Sequence, residues 1–294
     1  MKKTTLLRRL IQDRKTVILP GVYDCLSAKL AEQAGFEAIL LTGAGIVASA
    51  LGYPDIGLIT MTEVLNQTRN IVKSVNIPVF ADCDTGYGNS INVYRTVKEF
   101  EDAGVAGLFI EDQTFPKRCG HFERKQVISK EEMCKKIEAA VDARTDPDLI
   151  IMARTDARAE FGLEEAIERG ITYSDAGAEM IFIEAPQSIE ELRKIPGSIP
   201  VPTMANMVEG GKTPTVPIRE LEEMGFKFVS FSGSAQKIAI SAMKEFFDTL
   251  KNIGSVDDVL DKIVSLDERS RLLGLPRFYE MEKKYTEGLK WTAT

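Results

Sequence analysis

Acidic residues crowd into two short stretches of this chain at spacings that permit shared chemistry. Asp82 and Asp84 flank Cys83, and side chains two apart on a strand point to one face. The following apolar run ends in Glu111, one inter-strand spacing away if the runs are neighbours. Asp82, Asp84 and Glu111 are therefore expected to converge. Three close carboxylates repel one another unless a cation sits among them. Hard oxygen donors suit Mg2+ or Mn2+, often through retained waters. Helix N-caps and ordinary ion pairs at strand ends are the plainer alternative.

A second group is Lys117, Arg118, Cys119, Gly120 and His121, in a long connection where a lid would sit. Cationic neighbours lower a thiol's pKa, making Cys119 a usable proton donor or acceptor. His121 is the chain's single histidine. Taken alone, such a stretch is a solvated charged turn. A third group, Thr42, Gly43, Ala44 and Gly45, is small enough to bring backbone amides up to a carboxylate, although a plain turn has the same composition. Arg154 can hold a carboxylate in fork geometry. Glu184 and Asn206 follow the next two apolar runs, and each alone reads equally as a structural polar group.

What must position these residues is a set of apolar runs at 16–19, 38–41, 78–81, 107–110, 149–153, 180–183, 201–204 and 227–231. Most are continuous, as in strands covered on both faces. Helical patterns at 26–34, 62–75, 93–103, 130–143 and 163–176 lie between them, and Gly35, Gly104 and Gly177 follow three of these. Strand and helix alternating in this way predict a closed parallel (β/α)8 barrel, with polar groups gathered at the carboxyl ends of its strands. We expect a catalytic barrel over 1–253, entered by an amphipathic cap helix bearing Leu6, Leu7, Leu10 and Ile11, and a C-terminal helical extension over 254–294. Helical segments are predicted at 234–251, 256–273 and 276–284, with a break at Asn252–Ser255.

The composition is that of a globular protein, with 44% hydrophobic and 28% charged residues. A net charge of −7 argues against nucleic acid as a partner, while a local cluster of cations can still bind a small anion. Four cysteines without a C-x-x-C pair predict neither disulfides nor structural zinc, and Cys25, Cys83 and Cys134 read as packing residues. Arg8 and Arg9 break the N-terminal apolar run, so no signal-peptide core is expected, and no run is long enough to span a membrane. The setting predicted is cytoplasmic.

The stretches Asp82–Gly88, Ile110–Gln113, Lys117–His121, Ala153–Ala157 and Asn206–Pro214, in that order, resemble the isocitrate lyase/phosphoenolpyruvate mutase superfamily, and within it the methylisocitrate lyase branch. The resemblance runs from Pro20 to the carboxyl terminus. It implies magnesium at Asp82 and Asp84, with Glu111 acting through water. It also implies a substrate carboxylate at Thr42, Gly43 and Ala44, and a pocket completed by Asp55, Gly120, His121, Arg154, Glu184 and Asn206. Cys119 would belong to a gating loop and serve carbon–carbon cleavage of a 2-hydroxy acid such as 2-methylisocitrate or 2,3-dimethylmalate to pyruvate. Lys237 and Arg269 stand where relatives hold an extra carboxylate. Val208, Gly210 and Gly211, in place of the branch's Thr-Glu-Phe-Gly pattern, and Leu40 in place of an aromatic residue leave alkylmalate cleavage and oxaloacetate hydrolysis or decarboxylation open. Phosphonopyruvate or phosphoenolpyruvate mutase-type chemistry is a further alternative on the same site. Relatives form homo-oligomers, so a dimer or tetramer with C-terminal helices swapped between subunits is expected.

Overall fold

The computed structural model describes residues 1–12 and 16–287. Residues 13–15 of the N-terminal segment and 288–294 of the expected C-terminal extension lie outside them. Helix α1 (Lys3–Gln12) precedes β1 (Val17–Val22), after which strands and helices alternate: α2 (Cys25–Gln33), β2 (Ile39–Leu41), α3 (Gly43–Ile46), α4 (Met61–Ser74), β3 (Val79–Asp82), α5 (Ser90–Asp102) and β4 (Gly107–Glu111). Then come α6 (Lys130–Ala143), β5 (Ile150–Thr155), α7 (Arg158–Phe161), α8 (Leu163–Asp175), β6 (Met180–Ile183), α9 (Ile189–Ser198), β7 (Thr203–Asn206), α10 (Ile218–Met224) and β8 (Phe228–Phe231). The eight strands close into one barrel in chain order, and every neighbouring pair is parallel, β8 pairing back to β1. The fold is the (β/α)8 barrel expected.

Strand β7 begins two residues later than its apolar run suggested. Pro202 has no N–H to give the ladder, so register with β6 starts at Ile181 opposite Thr203 and carries Asn206 into the strand. Glu111 and Arg154 are likewise strand residues, paired across β4 and β5. Gly35, Gly104 and Gly177 all adopt positive φ just past their helices.

Two apolar layers hold the barrel. Leu19, Leu40, Phe80, Phe109, Met152, Phe182 and Phe228 belong to one cluster, in which Phe80 meets Phe228 and Phe109 meets Phe182 edge-on. Leu7 of α1 is fully buried in it, with Leu10 and Ile11 packed alongside. Each such side chain contributes roughly 1.5–3 kcal/mol. Lys3 Nζ donates to the carbonyls of Val72 and Val75, and Arg8 pairs with Glu179, fixing the helix in place. The larger layer lies between strands and helices and includes Cys83, Ile110, Ile151, Tyr173 and Val229.

The chain divides into two compact units, residues 1–237 and 238 onward, so the division falls inside α11 (Ser234–Ile253), whereas the sequence suggested 253/254. The second unit continues with a 3-10 turn (Asp257–Lys262), α12 (Leu266–Leu272) and α13 (Leu275–Thr286). The single helix expected over 256–273 is thus two pieces. Ser265 accepts the N–H of Glu268 and starts α12 afresh.

Candidate active site

At the carboxyl end of β3, Asp82 and Asp84 meet the chain turning out of β2. Thr42 caps α3, and the Gly43 N–H donates to Asp82 Oδ2 at 3.2 Å. A Cβ on Gly43 would stand 3.0 Å from Asp82 Oδ2 and 3.4 Å from Asp84 Oδ1, so the missing side chain lets backbone approach both carboxylates. Lys117, in the connection after β4, inserts its ammonium 2.6 Å from Asp84 Oδ1 and 2.6 Å from Asp55 Oδ1. Burial pushes this lysine's pKa down, but Asp84, Glu111, Asp55 and Asp82 hold it well above the ordinary value. Asp84 is pushed up to about 6, by burial first and against the pull of Lys117.

Glu111 and Arg154 build the second half. Glu111 is wholly buried; its Oε2 lies 3.1 Å from Arg154 Nη1, and neither of its oxygens accepts a hydrogen bond. Burial pushes its carboxyl well above the ordinary value. The Nε and Nη2 of Arg154 donate to Asp156 at 3.0 and 3.1 Å, and Nη2 also lies 3.3 Å from Glu184 Oε2. The guanidinium fork expected to clasp substrate is therefore taken by Asp156. Arg154 Nη1, and Nη2 beyond its bond to Asp156, face the Glu111 and Glu184 carboxyls. Asp156 is itself held from behind: its N–H donates to Asp112, which also accepts from Thr155, Tyr173 and Arg169. Asp112 is structural.

The lid stretch lies over this cluster. The Cys119 N–H donates to the Asp55 carbonyl at 3.0 Å. Lys125 Nζ reaches Asp156 Oδ1 at 3.2 Å and also donates to the Gly120 carbonyl. His121 Nδ1 accepts the Lys212 N–H at 3.0 Å, so the ring proton sits on Nε2, 3.3 Å from Glu184 Oε1. A Cβ on Gly120 would stand 2.4 Å from Glu184 Cγ and 2.5 Å from Arg154 Nη2, so only glycine seats there. Burial pushes the Cys119 thiol up, which corrects the expectation of a depressed value. The nearest lysine, Lys117, is turned onto carboxylates instead. Burial, with the Asp55 and Glu184 carboxylates, favours the protonated form of the Cys119 sulfur.

A cavity of about 190 Å3 opens between these groups. Thr42, Ala44, Asp55 and Asp82 line one part, and Cys119, Gly120, His121, Arg154, Glu184 and Asn206 another. Lys237 lines it as well. Gly43, Asp84 and Glu111 stand just behind this lining, through the contacts given above. Arg269 lies on α12 in the second unit.

A model of the phosphoenolpyruvate phosphomutase family matches residues 7–251. The chain belongs to the phosphoenolpyruvate mutase/isocitrate lyase superfamily. It is 46% identical over 288 residues to 2,3-dimethylmalate lyase of Eubacterium barkeri, covering 98% of this chain and 100% of the relative. It is 44% identical to 2-methylisocitrate lyase of Aeropyrum pernix, covering 96% and 89%. These relatives place it on the carbon–carbon lyase side of the superfamily. A crystal structure of phosphonopyruvate hydrolase with oxalate and Mg2+ matches with a TM-score of 0.87 at 32% identity, covering 97% and 99% of the two chains.

Among the described residues, no group of three His, Cys, Asp or Glu side chains forms a ready-made metal cage. In this superfamily member, Asp82, Asp84 and Glu111 are instead interleaved with Lys117 and Arg154. Their chemistry still fits a hydrated magnesium ion, which takes one or two carboxylates and keeps its waters. Glu111 offers buried oxygens without hydrogen-bond donors. Asp55, Asp82, Asp84, Glu111, Asp156 and Glu184 also outnumber Lys117, Lys125 and Arg154, a carboxyl-rich set of the kind that suits a divalent cation.

Sequence reasoning missed Lys125 and Asp156 as partners of the lid and of Arg154. The rule that residues two apart share a strand face pairs Arg154 with Asp156 and could have found the second. It also missed Ser230, whose hydroxyl donates to Asn206 Oδ1 at 2.9 Å and orients that amide.

Proposed function

We propose that this enzyme cleaves the bond between C2 and C3 of a 2-hydroxy acid bearing two or more carboxylates, such as 2,3-dimethylmalate or 2-methylisocitrate. The products are pyruvate and a second carboxylic acid. The observation that carries this reading is Cys119, a protonated thiol lining the same cavity as Asp82, Arg154 and Thr42.

Thr42, Gly43 and Ala44, at the N-terminal end of α3, receive the carboxylate that becomes pyruvate's. The Arg154 guanidinium, with the Nε2–H of His121, stabilises the negative charge that develops on the departing fragment. As the carbon–carbon bond breaks, the substrate hydroxyl gives up its proton and becomes pyruvate's carbonyl, and the bond's electrons pass to the departing fragment. That fragment's carbon takes a proton from the Cys119 thiol, which the released hydroxyl proton restores. A divalent cation, held by Asp82 and Asp84 with Glu111 reached through water, would lower the substrate hydroxyl's pKa and neutralise the pyruvyl carboxylate. The lid residues Cys119 to His121 exclude bulk water from the cavity.

The test is direct. Purified protein with Mg2+ and either hydroxy acid should release pyruvate, detected through lactate dehydrogenase. No pyruvate from either acid, or from a wider panel of 2-hydroxy diacids, would remove the reading.

The same reading includes a homo-oligomer that exchanges helices of the second unit. Ile238, Ile240, Phe247, Leu266, Phe278 and Tyr285 are all exposed there, an apolar surface large enough to seek cover. Light scattering behind size exclusion should report a dimer or tetramer, and a monomer at micromolar concentration would refute it. The unpaired Cys25, Cys83, Cys119 and Cys134 support a reducing, cytoplasmic setting.

A further inference from the structure

The turn that leaves β3 is left-handed at Asp84 (φ 47°), Gly86 (φ 80°) and Tyr87 (φ 61°). Aspartate tolerates that conformation, but a bulky tyrosine adopts it only where the surroundings hold it there. Three successive carbonyls of the turn meet donors from three different elements. The Glu111 N–H of β4 donates to the Asp84 carbonyl at 2.8 Å. Lys136 Nζ, from α6, donates to the Thr85 carbonyl at 3.1 Å. The Thr96 hydroxyl of α5 stands 3.0 Å from the Gly86 carbonyl, but its single proton is also within reach of the Asn92 carbonyl at 2.9 Å. Lys136 is the unusual member of the three. It is 3% exposed, on the face of α6 that also buries Met133, Ile137 and Ala140, and a lysine is almost never placed so deeply unless paired. Among the described residues Lys136 forms no ion pair, and the Thr85 carbonyl is its one hydrogen-bond partner.

We infer that Lys136 is a positioning residue for the divalent cation: by holding the Thr85 carbonyl from α6, it keeps the turn in the conformation that aims the Asp84 carboxylate into the site. The inference rests on the cation assigned to Asp82, Asp84 and Glu111 in the lyase reading above. Packing alone does not explain this lysine, because an apolar side chain of similar length would suit the same face of α6 at no desolvation cost. What the buried amine achieves is at the turn. Asp84 and Thr85 share a peptide bond, so fixing the carbonyls on both sides of Thr85 leaves the Asp84 backbone no room to relax toward right-handed φ. Relaxation there would swing the carboxylate away from Asp82 and Gly43. Groups that orient metal-binding side chains are each worth about 10–100-fold in metal affinity, and one bond to a neutral carbonyl belongs at the lower end of that range.

The experiment titrates Mn2+ into the wild type, K136M, K136R and T96V without substrate, reading the free ion by electron paramagnetic resonance. K136M should bind Mn2+ about tenfold more weakly, and K136R, which keeps a donor at that position, should recover most of the loss. T96V frees only the Gly86 carbonyl and should weaken binding by a smaller factor. If the Lys136 variants fold poorly, T96V decides, and unchanged Mn2+ affinity in it counts against the inference. In the pyruvate assay the half-saturating Mg2+ concentration of K136M should rise by the same factor as its Mn2+ constant. A merely structural role would lower kcat and leave that concentration unmoved. Folded K136M that binds Mn2+ as tightly as the wild type would overturn the inference. A wild type that binds Mn2+ and shows the K136M loss, yet releases no pyruvate, fails the lyase reading and leaves the inference standing. One that binds no Mn2+ removes the inference.

Discussion

The ammonium of Lys117 stands 2.6 Å from Asp84 Oδ1, in the region where the carboxylates of β3 and β4 gather. One lid side chain therefore supplies part of the positive charge that those carboxylates need, and it bridges to Asp55 as well.

Replacing Lys117 by Met should leave the buried Asp84 and the partly buried Asp55 carboxylates without their shared partner. A stability loss of roughly 3–5 kcal/mol is expected from breaking such a pair. Because a divalent cation can supply the missing charge, Mg2+ should raise the melting temperature of K117M by more than it raises the wild type's. Equal responses in thermal melts would show that Lys117 and the cation do not compensate for one another.

In the proposed cleavage Cys119 acts as an acid and must carry its proton. Burial has moved its pKa up from 9.0, so the thiol form persists through neutral pH and is lost only as pH climbs past that value. The kcat profile is expected to fall on the alkaline side above pH 9, and C119A should lower kcat by about 10^2–10^4. Calorimetric binding of substrate to C119A should survive. An alkaline limb near pH 7 would assign the titration to some other group.

Glu184 is buried, which pushes its carboxyl up, yet Arg154 with His121 and Lys125 holds it down to about 2 against an ordinary 4.5. A depressed carboxylate stabilises the fold at pH above the unfolded value, and that contribution is lost as pH falls from 4.5 toward 2. Acid unfolding of E184Q should accordingly show a shallower pH dependence across that window. Circular dichroism between pH 5 and pH 2 tests this, and parallel curves for the two proteins would contradict it.

Gly120→Ala should keep the barrel folded but hold the lid off Arg154 and Glu184, since the added carbon has no room. Activity is expected to fall about 10^2-fold from misplacement alone. Trypsin should cut the variant faster at Arg118 or Arg124. Unchanged cleavage kinetics would mean that the loop accommodates the methyl group.

The barrel was legible because its strands are continuous apolar runs, and the site because Asp82, Glu111, Arg154 and Glu184 stand at the ends of those runs. Less was legible where charges choose partners. Asp112 and Asp156 are both acidic residues near strand ends, yet Asp112 turns toward α8 while Asp156 grips Arg154. Alternation along a strand separates them, but only once the strand bounds are known. Along the sequence Lys117 is only a neighbour of Cys119, and nothing in local spacing shows that it reaches Asp55 and Asp84. Likewise, Glu209 and Lys237 meet only because β7 and β8 are adjacent in the closed barrel. The turns α3, α7 and α10 are too short to display a helical period.

The support behind Arg154 has a consequence of its own. From Tyr173 and Arg169 on an outer helix, through Asp112 and Asp156, each polar group is fixed by the one behind it. The guanidinium is thus aimed before any ligand arrives, and no rotamer freedom is surrendered when charge develops beside it. Changing Tyr173 to Phe, on the outer layer of the barrel, would loosen that aim without altering a single atom that a substrate could touch.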